Sequence, residues 1–246
     1  MHLELWQWAL GALGAFLIGL SKTGIPGLGI LSVAIFALAF PARESVGLVL
    51  VILICGDIVA VSTYRRDASW PHLIRLFPWA ALGIVAGYFA LGRIDDLRMR
   101  QLIGVILLGL VVLQYLRSRR RSPDGEAQPP RPWLAPLAGI TAGFTTMVAN
   151  AAGPVMVLYL LAMRLPKILF IGTAAWYFLL LNLFKTPFSA ALGLINPASI
   201  GVSLLLGPFA VLGALAGRPI LERLNQRLFE LIALALTLVA ALGMLR

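Results

Sequence analysis

Two stretches place polar groups and helix breakers between apolar runs: SKTGIPGLGI at 21–30 and GFTTMVANAAGP at 143–154. A helix that starts after Gly27 or Ala151 leaves its first N–H groups unpaired and carries a partial positive charge at that end. Such ends attract anions. Gly24, Gly27, Gly29 and Gly153 allow a ligand to approach the backbone, and Ser21, Thr23, Thr145, Thr146 and Asn150 can add neutral hydrogen bonds. Lys22 would add a full positive charge. The competing reading is structural, with the glycines permitting close helix packing and Lys22 snorkelling to an interface.

Asp57 lies inside the apolar run VLVILICGDIVAVSTY, where an ionisable group is expensive without a partner or a task. It is a candidate for binding a coupling proton; the alternative is that it only accepts hydrogen bonds from broken backbone. Asn182 occupies the corresponding place in the second half of the chain and shares a helix face with Phe178. Trp176 is the one tryptophan away from a segment end and is a candidate cavity wall, although a packed aromatic is the commoner outcome. Lys185, before Thr186 and Pro187, reads as a snorkelling anchor at a helix end.

The elements holding these residues follow from composition. Of 246 residues, 60% are hydrophobic and 12% charged, with a mean hydropathy of +0.93, more apolar surface than a soluble fold can bury. The expected class is all-α: a polytopic membrane protein, with the lipid bilayer as its main surroundings. Ten apolar segments are expected, at about 3–20, 29–41, 45–64, 72–92, 98–116, 134–149, 153–165, 168–187, 198–218 and 226–245. The second and seventh are too short for a full span and read as half-helices or re-entrant arms. Cys55 is the sole cysteine, so no intrachain disulfide forms and packing is its expected role. The first apolar run lacks the flanks of a cleaved leader and is read as a retained span.

An arginine- and proline-rich stretch divides the chain into a first repeat at 1–116, a linker at 117–133 and a second repeat at 134–246. Gly19 and Gly29 correspond to Gly143 and Gly153 at an offset of 124, and Asp57 to Asn182 at 125. Pro78, Gly83 and Gly87 correspond to Pro208, Gly213 and Gly217 at 130. The ordered series points to duplication. Five segments per half make the repeats inverted, with the breaks at their interface; counting one arm of each pair as part of a single span would make them parallel. Basic residues crowd the loops around 65, 75, 117–131, 164–167 and 218–227, which places those loops in the cytoplasm and both termini in the periplasm.

At the two breaks and their flanking runs the chain resembles the TauE/SafE sulfite exporter family, the TSUP membrane transporters. The resemblance covers essentially the whole chain, including the short arms bounded by proline and the LG...G pattern at Leu82-Gly83 and Leu212-Gly213. It implies transport of small sulfur oxyanions and organosulfonates, such as sulfite and sulfoacetate, mostly outward across the bacterial inner membrane. The first cluster here is spread as IPGLG, and the second has Ala151 and Ala152 where the family usually has glycine, which bears on the choice of substrate.

The expected activity is a secondary transporter with alternating access; the rivals are an anion channel and a membrane assembly protein whose glycines only pack. No cofactor or metal site is expected, since His2 and His72 stand apart, and neither HExxH, a P-loop nor GxSxG occurs. Despite the net charge of +10, the arginines form no aromatic-interleaved basic face, so nucleic acid is not an expected partner. Self-association into a homo-oligomer is left open by the sequence.

Overall fold

The computed structural model describes residues 3–40, 42–91 and 133–225, with isolated positions at 108, 112 and between 227 and 242. Eight helices are described in full: α1 (Leu5–Thr23), α2 (Leu28–Ala39), α3 (Ala42–Tyr64), α4 (Trp70–Ala90), α5 (Leu134–Ala149), α6 (Ala152–Ala162), α7 (Lys167–Ala191) and α8 (Pro197–Arg223). They match eight of the expected apolar segments. The fifth segment falls almost wholly outside the described residues, the tenth in part, and the linker wholly but for Trp133.

Four helices, α3, α4, α7 and α8, are long and apolar enough to cross a membrane. By contrast α2 has 12 residues and α6 has 11, about 17 Å of helix, half of a bilayer core. Each short helix follows a longer one through a tight break. The first break turns at Gly27, whose φ of 99° suits a residue without Cβ. The second turns at Asn150, φ 53°, a conformation that asparagine tolerates better than most side chains.

Glycine contacts show how the halves meet. A Cβ on Gly19 of α1 would lie 1.8 Å from the Ala210 carbonyl oxygen of α8, and one on Gly143 of α5 would lie 2.0 Å from that of Ala80 in α4. Gly213 stands in the same way against Phe16, and Gly83 against Ile140. Every member of these contacts has its counterpart at the offsets read from the sequence. Reciprocal contacts of this kind are what a two-fold relation produces.

The consequence for the core is an exchange of helices. One buried cluster joins α1, α2 and α3 to α8 through Ala15, Ile18, Phe36, Ile52, Leu206 and Ala210. The other joins α5, α6 and α7 to α4 through Leu76, Ala80, Ile84, Ala142, Val155 and Phe170. Each bundle therefore takes its fourth helix from the other half of the chain. The bundles meet chiefly where α3 lies against α7.

Candidate functional site

Between the bundles lies a cavity of about 80 Å³. At roughly 10–15 Å³ for each water this is room for several waters or one small oxyanion. Its wall contains both breaks. Pro26, Gly27 and Gly29 come from the start of α2, and Ala152, Gly153 and Pro154 from the start of α6. Neither helix start has a side-chain cap, so neither has a side chain taking up its first N–H groups. The positive ends of two half-helices thus border one hollow.

The polar wall is Ser21, Lys22, Ser32, Thr146, Asn150 and Asn182; Val49, Leu53, Phe170 and Phe178 are among its apolar members. Lys22, on the last turn of α1, is only 8% exposed. Its Nζ lies 2.7 Å from Asp57 Oδ1, and the carboxylate is fully buried. This is an ion-pair contact. Asn182 Nδ2 donates to Asp57 Oδ2 at 2.6 Å, so the two repeat equivalents touch at the junction of α3 and α7. Phe178 places its ring 4.3 Å from Lys22 Nζ, a cation–π contact from the helix face it shares with Asn182.

Lys185 corrects the sequence reading. It does not snorkel: the side chain is completely buried, and Nζ donates to Thr146 O at 3.1 Å, Thr146 Oγ1 at 3.0 Å and Asn150 Oδ1 at 2.5 Å. These acceptors form the carbonyl end of α5, where a helix favours a cation. Among the described residues no carboxylate is within ion-pair distance of it. Pro187 disguised this position, because it reads as a helix end; α7 continues through it to Ala191. The signal that could have found Lys185 was its spacing of three from Asn182, which puts both on one face.

Other expected site residues stand away from the cavity. Thr23 Oγ1 donates to the Ala214 carbonyl, and Gly24 packs against Gly217, so both serve the contact between α1 and α8. Thr145 turns its hydroxyl back onto Thr141 within α5. Ala151 is buried in the turn itself. Trp176 faces the other way, its ring tilted against that of Trp70 at 5.2 Å and its Nε1 donating to the Arg65 carbonyl at 3.4 Å, because its position on α7 points to the loop after α3. Ser21, Lys22, Gly27, Gly29, Thr146, Asn150, Gly153 and Asn182 do line the hollow. Asp57 sits behind Lys22 instead of in the wall. No cluster able to hold a metal ion occurs among the described residues.

No curated protein and no solved structure matches this chain. The family model described as sulfite exporter TauE/SafE matches residues 10–244, nearly the full length. With several apolar helices, two broken ones and a polar hollow between them, this multi-pass membrane protein belongs to the TauE/SafE sulfite exporter family.

Proposed function

We propose that this protein is a secondary transporter that exports a small sulfur-containing anion, sulfite or an organosulfonate, across the bacterial inner membrane. The observation that carries the reading is the meeting of two uncapped half-helix starts and buried lysines around one cavity in an otherwise apolar interior. Paired broken helices are where secondary transporters hold their substrates. The wall divides the work: backbone N–H groups at the starts of α2 and α6 supply directed donors, Thr146 and Asn150 add side-chain ones, and the lysines supply charge, while Ser21 and Ser32 give their hydroxyl protons to the Ile18 and Gly29 carbonyls. Val49, Leu53 and Phe170 would hold the organic end of a sulfonate and keep bulk water out.

In this reading alternating access is a rocking of one bundle against the other across α3 and α7. The inverted relation of the repeats and the cytoplasmic placement of the arginine-rich linker, with both termini periplasmic, belong to the same proposal. An inside-negative potential assists anion exit by about 2.3 kcal/mol per charge per 100 mV, so export needs no second ion.

Purified protein in liposomes, screened with sulfite, sulfonates, sulfate and carboxylates while voltage and pH gradient are varied separately, tests this. Saturable sulfonate or sulfite flux that follows voltage is the expected result. Currents far above carrier turnover would make it a channel, and no flux of any small anion would leave a packing or assembly role. Flux that follows the pH gradient, and loses that dependence in Asp57→Asn, would assign Asp57 to proton coupling.

A further inference from the structure

Among the described residues the charges around the cavity do not balance. Lys22 and Asp57 form a closed pair at 2.7 Å. Such a pair has no net charge whichever of its two members holds the shared proton. Lys185 is different: its three donors go to two oxygens of Thr146 and one of Asn150, all neutral, and it is completely buried. Ionisable groups in a bilayer interior pair with one another or with backbone carbonyls, and Lys185 has the Thr146 carbonyl but, among the described residues, no carboxylate. Thr146 and Asn150 line the cavity, so an anion bound there would meet the far side of the groups that Lys185 holds.

Resting on the transport reading above, we propose that the site is built for a monoanion: Lys185 is the substrate's counter-charge, and Asp57 sets the valence by cancelling Lys22. Lys185 acts through Thr146 and Asn150 as a positioning residue. Its ammonium occupies the lone pairs of Thr146 Oγ1 and Asn150 Oδ1, which turns the hydroxyl proton and one amide proton toward a ligand. Sulfonates with a single negative charge fit this arithmetic. A sulfonate with an added carboxylate leaves one charge unmatched in low dielectric.

The test compares ethanesulfonate with sulfoacetate, which differ by one charge and little in size, as competing substrates in liposomes. Wild type should favour ethanesulfonate in kcat/KM by at least about tenfold. Asp57→Asn leaves two uncancelled cations and should move that ratio toward sulfoacetate by about tenfold or more. Lys22→Gln leaves Asp57 to cancel Lys185 and should carry neither anion well. Combining Lys22→Gln with Asp57→Asn restores a single cation and should restore ethanesulfonate transport. Lys185→Gln with Asp57→Asn relocates the single cation to Lys22 and should rescue ethanesulfonate relative to Lys185→Gln alone.

An unchanged ratio in Asp57→Asn overturns the inference, as does a Lys22→Gln/Asp57→Asn double variant no better than Lys22→Gln. Should Asp57→Asn not fold, the comparison of that double variant with Lys22→Gln decides alone. Wild-type flux of acetate without sulfonates would remove the sulfur assignment only, and the same series on acetate and malonate would then decide the valence. Absence of any anion flux overturns both proposals.

Discussion

Thr146 is held by Lys185 at both its carbonyl and its hydroxyl, and the hydroxyl borders the cavity. Its neighbour Thr145 has the same side chain, but bonds back to Thr141 inside the helix. The two threonines therefore make a matched control. Thr146→Val should weaken anion affinity by an amount typical of a hydrogen bond to a charged group, about 1.5–3 kcal/mol, or roughly tenfold to a hundredfold. Thr145→Val should leave affinity nearly unchanged; competition binding or the KM for flux measures both. Equal effects would mean that helix integrity, not the hydroxyl, is what the substitutions disturb. Residue types alone could not separate these neighbours, since each reads as a hydroxyl beside a break.

Glycines divide into two kinds by what surrounds them. Gly19, Gly83, Gly143 and Gly213 let helices cross almost backbone to backbone, and the sequence series of offsets was tracking those crossings. Gly153 meets nothing within 4 Å and lines the hollow. Some glycines thus serve helix packing and others border the hollow, at different positions. Gly143→Ala forces a methyl group to 2.0 Å from the Ala80 carbonyl. Overpacking of this kind costs about 1–3 kcal/mol or more, so folded yield and Tm in detergent should drop. Gly153→Ala should keep Tm within a degree or two of wild type, since exposed or roomy sites cost little, about 0.5 kcal/mol. It should raise KM, because the methyl group takes space beside the start of α6. A fall in Tm with transport intact would reverse that assignment.

Across the whole molecule the two repeats are not the two bodies. The chain divides at the linker, but α4 completes the bundle of α5, α6 and α7, and α8 completes that of α1, α2 and α3. Neither half can bury its apolar and glycine-lined faces alone. Expressed separately, 1–116 and 133–246 should each be degraded or aggregate, whereas co-expression should give a complex that copurifies and transports. Independent folding of either half, judged by a monodisperse species with a cooperative melt, would contradict the exchanged core. The exposed leucines of the outer faces, Leu82 on α4 and Leu204, Leu205, Leu212 and Leu215 on α8, are what helices facing lipid should present.

Hydropathy and breakers by themselves determined the helices, because a bilayer admits few ways to satisfy backbone polar groups and the lengths follow from its thickness. The same logic placed the starts of α2 and α6, since Gly27 and Ala151 mark where the helical ladder must be interrupted. Sequence spacing also paired Asp57 with Asn182. That they touch was decided by the crossing of α3 and α7, that Lys22 is the partner of Asp57 by the packing of α1 on α3, and that Lys185 lies inside and not at an interface by the meeting of α7 with the end of α5. Such contacts join residues from different helices, and no local pattern encodes which face of one helix meets which face of another. Only the folded core, by exchanging α4 and α8, brings the two breaks to a single hollow.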